Sequence, residues 1–214
     1  KLNISKNFRI PTYNDLYWET GGNLDLAAEE AMQYELGNEF QFNNFKITFT
    51  GYYNDIRHMI NWVPGSDGYW TPRNIDEVET YGGEFLLNFK KQFGQHLLAV
   101  NATNAYTVSK NKKTEKQLIY VPYHKATGSV YYAFQEVFIE TQALYNGEVF
   151  TRSDNNARYN LDAYWLWNAG LGYHISKNFI LGSKVRNLLN TDYQNVEDRR
   201  MPGTNYTIYL TLNF

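Results

Sequence analysis

Four histidines, His58, His96, His124 and His174, are the side chains in this sequence best fitted to ligate a metal or relay a proton. They fall on four separate segments, and no two of them stand at metal-ligand spacing. There is no cysteine, which removes disulfides, thiolate metal sites and thiol nucleophiles together. No Ser-His-Asp or paired-acid constellation sits in a motif, so the expectation is no catalytic residue, no metal, no cofactor and no enzyme. What the polar stretches do carry is aromatic rings and guanidinium groups. Tyr13, Tyr17 and Trp18 lie in one stretch, Trp62, Tyr69, Trp70 and Arg73 in a second, Arg152, Arg158 and Tyr159 in a third, and Arg199 and Arg200 in a fourth. Rigid rings supply contact area at little entropic cost, and arginine supplies directed hydrogen bonds to carboxylate, phosphate or amide groups. That is the chemistry of noncovalent recognition.

The elements that hold these groups follow a period of two. Phe45, Ile47, Phe49 and Tyr53 alternate with Lys46, Thr48, Thr50 and Asn54, and Tyr81, Phe85, Leu87 and Phe89 alternate with Glu84 and Asn88. The same pattern runs through Val137, Ile139 and Tyr145 against Glu140 and Gln142, and through Tyr206, Ile208, Leu210, Leu212 and Phe214 against Thr207, Thr211 and Asn213. Counting such segments predicts about ten strands. Short polar turns at "QFNNF", "KKQFG", "FQE" and "HISKN" alternate with long connections near 11–28, 62–76, 108–123, 148–161 and 188–204. Within "LDLAAEEAMQYELG" the early part reads as a helical turn that Asp25 could cap, and the part from Met32 onward reads as strand.

Charge is nearly balanced, with 20 Lys+Arg against 22 Asp+Glu, which gives no reason to expect nucleic acid. No apolar run exceeds five residues, too short for a membrane-spanning helix. A membrane-spanning β-barrel is compatible: its strands need only about 9 to 11 tilted residues and alternate lipid-facing with lumen-facing side chains. Segregated loop lengths and a 17% aromatic share favour that barrel over a water-soluble sandwich. The opening "KLNISKNFRI" already reads as strand, so the chain is expected to be a piece of a longer one.

Specific words then carry a resemblance. "NFRIPTYNDLYWETGGNLDLAAEEAMQYELG", "GYYNDIRHMINW", "NIDEVETYGGEFLLNF", "VPYHKATGSVYY" and "VRNLLNTDYQNVEDRRMPGTNYTIYLTLNF" resemble, in order, successive strands of TonB-dependent outer-membrane receptors. Among their branches the cobalamin receptors look nearest, through "GYYNDIRHMI" and the compact ending. Two departures are the absence of Pro after "GGNLDL" and the reading Pro202-Gly203-Thr204 where many members have Pro-Gly-Arg.

The resemblance implies an all-β fold, an antiparallel transmembrane β-barrel of which residues 1–214 supply the last ten or so strands. The whole would have 22 strands around a plug, with the plug and N-terminal strands outside this chain. It implies a place in the bacterial outer membrane and uptake of a scarce nutrient, cobalamin preferred, with a ferric siderophore or haem receptor, or a passive porin or adhesin barrel, as alternatives. Expected partners are that small molecule, membrane lipid, lipopolysaccharide whose phosphates the loop arginines could hold, and TonB through the plug. The loop residues named first become candidate ligand contacts, and Glu84, Lys184 and Arg186 become candidate plug contacts. Tyr206, Ile208, Leu210, Leu212 and Phe214 become the barrel-assembly signal. The two edge strands are expected to pair with each other or with another chain.

Overall fold

Apolar and polar residues alternate here because each strand separates two environments, and the computed structural model shows which strands share them. It describes residues 1–65 and 68–212 and, within that range, leaves the side chains of Ile75 and Asp76 aside. The strands are β1 (Leu2–Arg9), β2 (Glu29–Phe42), β3 (Phe45–Pro64), β4 (Trp70–Phe93), β5 (His96–Asn111), β6 (Lys116–Gln117), β7 (His124–Phe134), β8 (Val137–Asn146), β9 (Tyr164–His174), β10 (Phe179–Arg186), β11 (Gln194–Val196), β12 (Arg199–Arg200) and β13 (Asn205–Leu212). One antiparallel sheet runs β1-β2-β3-β4-β5-β7-β8-β9-β10-β13, with β6 beside β5, while β11 and β12 form their own ribbon. Ten strands on the main path match the expected number. The two edges do not pair with each other: β1 and β13 each have one neighbour among the described residues.

Three hairpins close through the two-residue turns 43–44, 94–95 and 135–136, whose first residues take left-handed backbone (Asn43 φ 44, Gly94 φ 61, Gln135 φ 53). The opposite rim carries the long connections, but one expected there is not long. The strands instead continue into this stretch from both sides, pairing Trp62 with Pro72 and Pro64 with Trp70, so that β3 reaches Pro64 and β4 starts at Trp70. Prolines and glycines interrupt the alternation in this stretch without interrupting the ladder. The helical turn expected after Asp25 is also absent. Strand β2 begins at Glu29, and the helix is instead α1 (Tyr13–Tyr17), with a 3₁₀ turn over Ala157–Tyr159.

Register lines up one continuous apolar face. On it Tyr34, Tyr53 and Tyr81 form a row across β2, β3 and β4; Tyr106 on β5 faces Gly83, two pairs nearer the turns, and Tyr145 on β8 faces Trp165 on β9. Eight positions along the strands lies a second row: Phe42, Phe45, Phe89 and, on β9, Tyr173. Phe45 and Phe89 rings are 4.5 Å apart and those of Tyr145 and Trp165 4.9 Å apart. Eight steps of about 3.4 Å at a tilt of roughly 40° give about 21 Å between the rows, close to the apolar height of an outer-membrane barrel. Tyr206, Ile208, Leu210 and Leu212 lie on this face and are exposed; Phe214 lies outside the described residues.

The other face is polar. Lys184 pairs with Glu140 at 2.8 Å, and the Asn168 amide donates to Gln142 at 3.1 Å. Large rings on this face lie over glycines, so that a Cβ on Gly172 would overlap the Phe138 ring and one on Gly182 the Tyr209 ring. Buried apolar residues gather where the loops fold back: Ile60, Val78, Val108, Leu118 and Val149.

Candidate functional site

Every long connection opens on the tyrosine rim, and two sets of hydrogen bonds hold them. The first set centres on Asp15, which is 2% exposed. Thr12 caps α1 and, with Asp15, forms a reciprocal capping box. The Asp15 carboxylate accepts from the Thr12 backbone N–H (2.9 Å), the Thr12 hydroxyl (2.8 Å), the Trp62 indole (2.9 Å) and Arg9 (3.3 Å). Burial opposes its charge, but the hydrogen bonds from Thr12 and Trp62 and the Arg9 guanidinium outweigh burial and hold its carboxyl below the usual carboxylate range. Farther along the same loop, Asn74 accepts from the Ala27 N–H (2.9 Å) and donates to the Ala27 carbonyl (3.1 Å), and Glu29 accepts from the Ile60 N–H (2.8 Å). The first loop is thereby fastened to the β3–β4 hairpin.

The second set uses amides. Gln117, 3% exposed, accepts from the Ser109 N–H (2.9 Å), donates to the Val121 carbonyl (3.1 Å) and exchanges backbone-to-amide bonds with Asn155 (2.8 and 2.9 Å), tying the third loop to the fourth. Asn187 follows β10 in left-handed backbone (φ 50). Its N–H donates to Asn168 (3.0 Å), its amide donates to the Thr191 carbonyl (2.8 Å) and accepts from the Thr191 N–H (2.8 Å), and its carbonyl accepts from the Thr204 hydroxyl (2.7 Å). These bonds fold the fifth loop over β10.

The predicted contact residues fall into two groups on this frame. Tyr13 and Tyr17 pack with tilted rings 4.8 Å apart on α1 and, with Trp18, Tyr69, Trp70 and Arg73, stand exposed beside the β3–β4 hairpin. Trp62 belongs with them but commits its N–H to Asp15. In the other group Arg152 lies 5.3 Å from the Tyr159 ring centre and pairs with Glu197 at 2.9 Å, joining the fourth loop to the fifth. Arg199 and Arg200 sit apart on the β11–β12 ribbon, Arg200 being 3.4 Å from Asp192.

Two adjoining clefts that the sequence did not suggest open between the third, fourth and fifth loops. One, of about 200 Å³, is lined by Tyr120, Lys125, Asn146, Asp162, Tyr164, Gln194 and Asn195; the other, of about 290 Å³, by Asn160, Asp162, Tyr164, Asp192, Tyr193 and Gln194. Tyr164 donates to Asn195 at 2.7 Å and its ring packs 4.6 Å from that of Tyr193. The Asn160 Nδ2 donates to Glu148 (2.6 Å), whereas its Oδ1 is buried and has no hydrogen-bond partner among the described residues. The Asn-, Asp- and Tyr-rich words "NARYNLDAYW" and "NTDYQN" are the signal that could have pointed here.

A meander with a lipid-height apolar face, turns on one rim and tied loops on the other can be set beside known proteins. Residues 1–188 match the family described as TonB dependent receptor-like, beta-barrel. The chain belongs to the TonB-dependent receptor β-barrel family. It is accordingly an outer-membrane β-barrel segment of a transporter family. It is 29% identical over 216 residues to the vitamin B12 transporter BtuB of Photobacterium profundum, covering 99% of this chain and 35% of that protein. To BtuB of Vibrio vulnificus strain CMCP6 it is 28% identical, covering 100% of this chain and 34% of the relative. Among solved structures, the copper transporter OprC superposes with a TM-score of 0.80 at 16% identity, covering 100% of this chain and 36% of OprC. A ferric enterobactin receptor, PfeA of Pseudomonas aeruginosa, superposes at 0.76 with 20% identity, covering 100% and 38%. The chain thus spans about a third of the length of these proteins.

Proposed function

We propose that this chain is the C-terminal portion of the barrel of a receptor that takes up cobalamin across the outer membrane, driven by TonB acting on a plug outside these residues. The observation that carries the reading is the pair of clefts lined by amide, phenol and carboxylate groups. Cobalamin is a corrin fringed with amides, which both donate and accept hydrogen bonds, and a surface of this mixture suits it. The BtuB relatives, which cover nearly all of this chain, support the same substrate. In this reading Arg152 and Tyr159 flank the clefts, and Tyr13, Tyr17, Trp18, Tyr69, Trp70 and Arg73 offer rings and a guanidinium from across the rim, with Trp62 positioning them. Glu84, Lys184 and Arg186 face the plug, and the loop arginines beyond the clefts meet lipopolysaccharide.

A ferric siderophore is the second reading, favoured by Arg152 and Arg158 lying 5.3 and 5.9 Å from the Tyr159 ring. Titrating the full-length receptor with cyanocobalamin and with ferric enterobactin separates the two. Saturable cyanocobalamin binding that weakens on Asn160→Leu supports the proposal. Siderophore binding without any for cyanocobalamin overturns it.

A further inference from the structure

Two side chains in the paired clefts keep hydrogen-bonding capacity that the fold does not use. The Asp162 carboxylate lies at the junction, lining both clefts, and has no hydrogen-bond or ion-pair partner among the described residues. Asn195, on β11, lines the smaller cleft of about 200 Å³. Its Oδ1 accepts from the Tyr164 hydroxyl at 2.7 Å, and Tyr164 is held in turn by its place opposite Asn146 in the ladder and by the Tyr193 ring. What Asn195 has left is Nδ2, whose two hydrogens have no acceptor among the described residues. The smaller cleft thus offers a ligand one anionic acceptor and one amide donor.

We infer that Asp162 and Asn195 together read one primary carboxamide on the rim of the ligand: Asn195 Nδ2 donates to its carbonyl, and its own N–H donates to Asp162. The inference rests on the cobalamin reading and narrows it, from a surface that suits amides to two residues that tell an amide from the acid it hydrolyses to. A carboxylate in the same place still accepts from Asn195, but it has no N–H for Asp162 and sets a second negative charge against it. Gln194, which lines both clefts, donates and accepts equally well and leaves that preference unchanged. Lys125 lines the smaller cleft without an ion-pair partner among the described residues, and a site governed by it would favour the acid. The two arrangements therefore predict discrimination of opposite sign.

The test titrates the full-length receptor with cyanocobalamin and with its three monocarboxylic acids, each having one propionamide hydrolysed. Wild type is expected to bind one of these acids about 30-fold more weakly than the parent. Asp162→Asn exchanges an unpaired, exposed carboxylate for an amide of the same shape, so the fold is kept, and it restores that acid to within about threefold of the parent. Asn195→Asp keeps an oxygen for Tyr164 but replaces the donor with an acceptor, and it lowers affinity for the parent about 30-fold. Equal binding of parent and acids by wild type, or tighter binding of an acid, overturns the inference and leaves the cobalamin reading standing. So does a weakened acid that Asp162→Asn fails to restore, or an unchanged parent affinity in Asn195→Asp. No cyanocobalamin binding by wild type overturns both.

Discussion

The sheet has a tall half and a short half. Strands β3 and β4 run 20 and 24 residues and rise well past the tyrosine row, whereas β9 and β10 run 11 and 8 and stop near it. The tall half carries its aromatics on a paired hairpin, fastened to the first loop by the carboxylates of Asp15 and Glu29 together with the Asn74 amide. The short half carries its clefts on irregular chain, fastened by amides, Gln117, Asn155 and Asn187. A carboxylate hub gathers several donors and an arginine around one charge, but it answers to pH. An amide hub donates and accepts in the same side chain, so it can replace a ladder in chain that has none.

Removing a hub from each half exposes the difference most strongly. Asp15→Ala is expected to loosen the first loop by about 3 kcal/mol, because it leaves the Trp62 indole, the Thr12 N–H and Arg9 without their shared acceptor. Hydrogen exchange in the full-length receptor should rise over residues 10–28 and stay unchanged over 147–163; equal rises in both would erase the division. Asn187→Ala is expected to cost about 2 kcal/mol, felt in the fifth loop alone, since it removes amide bonds to Thr191 and places a Cβ-branchless but less tolerant residue in left-handed backbone. Proteolysis within 188–204 is the readout, and unaltered resistance there would show that the loop has other supports.

Acid sharpens the comparison. Asp15 titrates below its ordinary 3.8 in the folded protein, so the stability it contributes is whole above pH 3.8 and falls away as pH drops through the lowered value. The amide hubs do not titrate. Acidification should therefore free the first loop before the third and fifth, visible as earlier peptic cleavage in 10–28 and absent from Asp15→Asn. The smallest effect belongs to Arg152→Gln, whose partner Glu197 lies on the exposed rim. Less than about 1 kcal/mol is expected, with thermal midpoint as the measure and a larger fall in ligand affinity if Arg152 touches substrate.

Strand number, loop alternation and the apolar face were legible in the sequence because a period of two survives any register. The tall hairpin was not, because Pro64, Pro72 and Gly65 look like a loop until Trp62 is seen paired with Pro72. The Asp15 hub left a readable trace, Thr12 three residues before Asp15, which is capping-box spacing, and the helix it caps was nevertheless missed. Its other partners, Arg9 and Trp62, come from different strands and could be known only from the fold. The clefts were out of reach for the same reason: Asn146, Tyr164 and Gln194 meet through strand order and loop ties, not through spacing. Trp62, expected as a recognition ring, also secures a loop through its N–H.

The two aromatic rows differ in kind, hydroxyl- and indole-bearing rings toward the long loops and mostly phenylalanine toward the turns. A tyrosine prefers one depth, with its ring in hydrocarbon and its hydroxyl in water, while a phenylalanine has no polar tip to align. The wall therefore hangs from its outer edge like a curtain from a rail. Where the bilayer thins or thickens, the mismatch is taken up at the free hem beside the turns, and the loop-bearing surface keeps its height above the cell.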